Sequence, residues 1–146
     1  MKPMKYLIVF GILLALFTAC GEGLYYCILC NNSDRDVGIV VSWSGSLANI
    51  DTILPIKEKY IDILEKRECA GNIRISPDQD ITHVFILDPD TVESYSWDEL
   101  RAGSKYLKRY DFTWKDTDRL NNQVSYPPTD NMRDVKMYPP YGSEGE

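Results

Sequence analysis

The feature that most constrains this chain is at its start. Lys2 and Lys5 precede an almost wholly apolar run from Tyr6 to Phe17, followed by the small residues Thr18 and Ala19. A positive start, a short apolar run and small residues at the cut form a secretory signal, and this run is too short to span a bilayer as a stable helix. Residues 1–19 are therefore expected to be removed and to take no part in the fold. Of the 146 residues, 127 remain. That length suits one small domain with a core of its own, and two domains would be crowded. The two lysines leave with the signal while no acid does, so the formal charge moves from −6 to −8 with His83 neutral. So acidic a surface argues against nucleic acid as a partner and against electrostatic docking to anionic lipid.

Leu16, Phe17, Thr18, Ala19 and Cys20 resemble the lipobox of bacterial lipoproteins, in which the signal is cut before the cysteine. Such a cysteine carries a diacylglycerol and an amide-linked chain. Each buried methylene contributes about 0.8 kcal/mol and one acyl chain anchors only marginally, so several chains hold a protein on its bilayer. The expected membrane partner is thus engaged through acyl chains on Cys20, and the sequence beyond it offers no second apolar span. Gly21 in place of an acid after the cysteine, and only Glu22 as a nearby acid, fit an outer-membrane location. A periplasm-facing position is expected there, with surface exposure left open.

Gly21 to Gly23 form a short linker, and the globular domain is expected over residues 24–138. Leu24 to Cys30 reads as an apolar strand, and Val37, Ile39, Val41 and Trp43 alternate with smaller or polar neighbours as a second strand does. The polar cluster Asn31 to Asp36 between them predicts a hairpin. Residues 56–69 fit a helix or a strand, with strand favoured, and Ile73 and Ile75 mark a further extended piece. Ile81 to Leu87 is rich in Ile, Val and Phe and predicts a strand central to the sheet. Ser96 and Glu99 form a capping box that opens a short helix to about Gly103. Tyr106 to Phe112 returns to strand. Thr113 and Asp116 open a second helix ending near Asn121 and Asn122, and Val124 to Tyr126 reads as a last strand. Pro127, Pro128, Pro139 and Pro140 predict an extended tail, with residues 139–146 extended or disordered. The fold class expected is α+β: one small domain, mainly antiparallel sheet, with one or two short helices and a Pro/Tyr-rich tail.

Phe85 to Asp90 read FILDPD, Thr91 to Leu100 read TVESYSWDEL, Lys108 to Asp111 read KRYD and Val135 to Tyr141 read VKMYPPY. With the lipobox, these stretches resemble a family of small uncharacterised lipoproteins of gut Bacteroidales, over most of the mature chain and most clearly from Ile81 to Tyr141. The resemblance implies a location in the cell envelope and brings no binding or catalytic residues with it. Asp51-Thr52-Ile53 and Asp90-Thr91-Val92 also resemble the O-glycosylation triplet of Bacteroidales, making Thr52 and Thr91 candidate modification sites.

Cys27 and Cys30 are spaced as a redox pair, but in a strand their side chains point to opposite faces. An exported protein oxidises its thiols, so Cys69 is expected to join either Cys27 or Cys30, leaving the other as a buried thiol. Three cysteines and one histidine do not assemble a zinc site, and His83 reads as a sheet residue. Asn32, Asp34, Asp36 and Gly38 alternate in the manner of a calcium loop, yet the glycine is misplaced and Trp43 stands where a closing glutamate belongs. Asp78 with Asp80, Asp88 with Asp90, and Asp116 with Asp118 read as turn residues. No nucleophile elbow or phosphate-cradling glycine loop occurs, so no catalytic residue, metal or cofactor is assigned. Aromatic residues such as Trp43, Tyr95, Trp114, Tyr138 and Tyr141 are numerous for so small a domain and can stack on sugars or anchor a protein. The function expected is a non-catalytic, membrane-anchored envelope module binding a protein or glycan partner. The alternatives are an immunity or inhibitor lipoprotein against a toxin, and a small envelope hydrolase using carboxylates.

Overall fold

Ile81–Leu87 forms a strand in which all seven residues are buried, which only a strand covered on both faces can achieve. The computed structural model describes residues 25–44, 54, 61–75 and 81–143, and this strand, β5, is the middle of its larger sheet. In chain order the strands are β1 (Tyr25–Asn31), β2 (Val37–Ser44), β3 (Asp62–Leu64), β4 (Cys69–Ile75), β5, β6 (Lys108–Phe112), β7 (Gln123–Tyr126) and β8 (Lys136–Tyr138). Helix α1 (Pro89–Ser94) and helix α2 (Trp97–Ala102) lie between β5 and β6, and helix α3 (Trp114–Arg119) follows β6. The strands make two sheets, one ordered β4-β1-β7 and the other β3-β2-β5-β6-β8. All pairings are antiparallel except β1 with β7. The α+β, mainly antiparallel class holds, with two sheets and three short α-helices among the described residues.

The two sheets face each other across the main core. Cys27, Leu29, Ile73, Ile75 and Val124 from the smaller sheet meet Val37, Ile39, Val84, Ile86, Tyr110 and Phe112 from the larger. Fully burying such an aliphatic or aromatic side chain contributes about 1.5–3 kcal/mol. The Tyr110 hydroxyl donates to the Ser125 carbonyl at 2.9 Å and ties the sheets together through the core. On the other face of the larger sheet, Val40, Phe85 and Leu87 are covered by Leu100 of α2 and by Leu54, with Val92, Trp97 and Tyr106 packed alongside. Two-sided cover explains why both alternating faces of β5 are buried, and why Val84 to Leu87 are all apolar.

The hairpin expected from β1 and β2 does not form. β1 pairs with β4 and β7, and the chain crosses to the other sheet at Asn31. That side chain is fully buried and donates to the carbonyls of Arg35, Leu64 and Glu65 while accepting from the Ser33 N–H and hydroxyl, so the polar cluster is a corner between sheets. Within the ambiguous 56–69 stretch, Asp62–Leu64 is strand; residues 56–60 lie outside the described ones. Helix α1 was not expected after β5: Asp88 caps it and Pro89 sits at its first turn, where a missing N–H costs nothing. The helices at Ser96 and Thr113 both carry complete capping boxes. Val124 to Tyr126 is not the last strand, because β8 follows and pairs with β6. The tail is therefore partly built into the sheet. Tyr141 packs on the core and donates to Asp130 at 2.5 Å, and Lys108 holds the Pro139 carbonyl at 2.9 Å.

Candidate functional site

The outward face of the larger sheet carries two side-chain rows set by register. Val40, Phe85, Arg109 and Tyr138 align across β2, β5, β6 and β8, and Ser42, His83, Asp111 and Lys136 form the next row. Alternation places Arg109 and Asp111 on one face of β6, and pairing places His83 beside Asp111. The Arg109 Nε donates to Asp111 Oδ1 at 2.7 Å and its Nη2 to Oδ2 at 3.1 Å, a bidentate pair. His83 Nδ1 lies 2.6 Å from the same Oδ1. Arg109 is flanked by the rings of Phe85 and Tyr138, 5.7 and 5.3 Å from its guanidinium carbon. Burial pushes the Asp111 carboxyl up, but hydrogen bonds from His83 and Arg109 and the nearby charge outweigh it and hold the carboxyl below its ordinary value. Side-chain exposure is 0% for Arg109, 1% for Asp111 and 7% for His83. A substrate has no access to this acid, so the cluster reads as structural.

Two open clefts adjoin each other at the end of the sandwich where β2 begins and β5 ends. One, of about 490 Å³, is bordered by Arg35, Asp36, Ile63, Asp90 and Glu93. The other, of about 320 Å³, is bordered by Thr91, Tyr95, Lys105 and Tyr106. Asp88 lines both. Its carboxylate accepts from the Thr91 N–H and hydroxyl and sits 3.9 Å from Arg35. Capping therefore turns this acid toward α1 and holds it rigid. Tyr95 is 42% exposed with the Lys105 ammonium 4.2 Å from its ring centre, and Ile63 is 56% exposed. Rigid amphipathic rings and exposed aliphatic groups beside fixed charges are the makings of a recognition surface.

Cys20 and Thr52 lie outside the described residues. Thr91 stands in the first turn of α1, half-buried, with its hydroxyl donating to Asp88 at 2.8 Å. Cys30 and Cys69 are directly opposed across β1 and β4 and form the disulfide. Cys27 is the buried thiol; burial pushes it up to about 12, against a smaller lowering by the Val124 backbone. Asp34 pairs with Arg67, and Asp36 accepts from the Lys66 N–H at 2.9 Å. Among the described residues no group of three or more His, Cys, Asp or Glu could hold a metal ion. No helix among them is long and apolar enough to cross a membrane.

The cleft residues escape a reading of the sequence because they come from four separated segments. Asp88 and Asp90 are legible only as turn acids, and nothing in the order of residues brings Arg35 and Ile63 to them. Comparison of the chain with protein-family models, with curated proteins and with solved structures finds no match.

Proposed function

We propose that the protein is a non-catalytic binding module of the bacterial cell envelope, anchored in the outer membrane by acyl chains on Cys20. It meets a protein or glycan partner through the end that carries the two clefts. The observation that supports this most is their junction at Asp88, an acid held by helix capping, with Ile63 and Tyr95 exposed beside it. The acids Asp36, Asp88, Asp90 and Glu93 outnumber Arg35 around the larger cleft, which favours a partner with a basic face. The same imbalance is what an inhibitor lipoprotein facing a basic toxin would need, and that is the second reading. A carboxylate hydrolase gains less support, because Asp88 is tied to Thr91 and Arg35 and Asp111 is sealed.

The test places a photo-crosslinking residue at Ile63 or Tyr95 in the full-length lipoprotein in intact host cells. One defined protein or glycan adduct at both positions, absent with the same probe at Arg133, is expected. Equal labelling at all three positions would remove the cleft end as the recognition surface.

A further inference from the structure

Three exposed aromatic residues border the end of the sandwich opposite the clefts. Trp43 on β2 pairs with Thr82 on β5, which pairs with Phe112 on β6, and Trp114 follows two residues later. In the smaller sheet Tyr25 opens β1 opposite Ile75, and its ring lies 6.1 Å from that of Trp114. The Trp43 indole N–H donates to the Arg74 carbonyl at 3.1 Å, one residue from Ile75. Trp114 is 38% exposed, Tyr25 39% and Trp43 40%. The Lys115 ammonium stands 5.7 Å from the centre of the Trp114 ring. Each ring thus has one side packed on the sandwich and the other free to enter a second medium.

Chain length says what that medium is. From Cys20 to Tyr25 is five residues, which reach at most about 18 Å when fully extended. From Val37 to Trp43 along β2 is about 20 Å, so the tether holds the aromatic end near the acyl chains and keeps the cleft end away. Trp and Tyr rings prefer the headgroup layer, where an apolar body and a polar tip are both satisfied, and a neighbouring lysine can reach phosphate. We infer that Tyr25, Trp43 and Trp114 form a lipid-docking end that seats the domain on the bilayer and points the clefts outward. This inference rests on acylation of Cys20.

The experiment uses the full lipoprotein, purified from membranes and reconstituted in phosphatidylcholine vesicles with or without lipid brominated in the acyl chains. Trp→Phe changes leave one reporter at a time among Trp43, Trp97 and Trp114, the last two of which lie on different helices. Emission from Trp43 and Trp114 is expected to be quenched by bromolipid about threefold or more relative to Trp97, which sits on the cleft side of the fold. Intact mass of the same sample reports the acyl chains. An acylated protein whose three tryptophans are quenched alike overturns the docking end and leaves the anchor standing, whereas a protein without acyl chains removes the anchor itself. Protection of Trp43 and Trp114 from a water-soluble quencher in intact cells, with no bromolipid quenching in vesicles, would mean that a protein covers this end and would also overturn it.

Discussion

Replacing Asp111 with Asn keeps the volume of the side chain and removes its charge. Arg109 would then keep its cation at 0% side-chain exposure, with two donors facing a neutral amide in place of a carboxylate. His83, 2.6 Å away, would lose the same acceptor. Removing one partner of a buried ion pair costs about 3–5 kcal/mol, because the desolvated charge left behind loses the opposite charge nearest to it. Domains of this kind hold only about 5–15 kcal/mol in all, so the variant should be close to marginal. At about 2.1 cal/mol/K of unfolding entropy per residue, a loss near 4 kcal/mol over the mature chain lowers the melting temperature by about 15 °C. Urea denaturation followed by tryptophan emission measures the change at constant slope. Asp130→Asn is the control: that carboxylate also bonds Arg133 and Tyr141, but in solvent, and its loss should leave the midpoint unmoved. The pair Arg109→Met with Asp111→Leu removes both charges and should recover about half or more of the loss. An Asp111→Asn variant within about 1 kcal/mol of the parent would refute the reading of this cluster as a structural ion pair.

Further outcomes follow from the same contacts. Cys30→Ser or Cys69→Ser opens a loop closed across a separation of 39 residues and should cost about 4 kcal/mol in the chain-entropy view, read as a drop in melting temperature equal to that caused by reductant. With its thiol pushed up to about 12, Cys27 should resist iodoacetamide at pH 8 in the native protein and react only in urea, as peptide mass mapping will show. Gly38→Ala should destabilise by about 1–2 kcal/mol on thermal unfolding, since an added Cβ would stand 2.8 Å from the Ile61 methyl, a branched side chain with little freedom to retreat. Because Asp111 titrates lower when folded than when unfolded, its contribution is fully present above the unfolded carboxyl range and fades as pH falls through the folded value. Denaturation midpoints should therefore fall in acid below about pH 4, and less steeply in Asp111→Asn.

Local rules are legible where one residue type decides one element. The apolar run Val84–Leu87 announces a buried strand, and Ser96 with Glu99 and Thr113 with Asp116 announce two helix starts. What stays hidden depends on distance along the chain. β1 and β2 look like a hairpin because both alternate and a polar cluster joins them, and only the buried bonds from Asn31 to Leu64 and Glu65 turn that cluster into a corner. Asp88 and Pro89 read as the end of a strand, although the same two residues are equally the cap and first turn of a helix. Cys69 has two candidate partners in the sequence, and the antiparallel register that sets it opposite Cys30 is a property of β4 as a whole. Period-two alternation puts Arg109 and Asp111 on one face, while the meeting with His83 depends on the pairing of β5 with β6. The clefts need four segments to converge, and no local signal carries that.

Intact-mass spectrometry of the protein isolated from membranes of its own host tests the anchored-module account most directly. Anchoring predicts a chain that begins at Cys20 and carries acyl chains there, with any further increment of sugar mapping to Thr52 or Thr91. A mature chain with an unmodified amino terminus, or one cut elsewhere than before Cys20, would contradict it, and with it the orientation that points the clefts away from the bilayer.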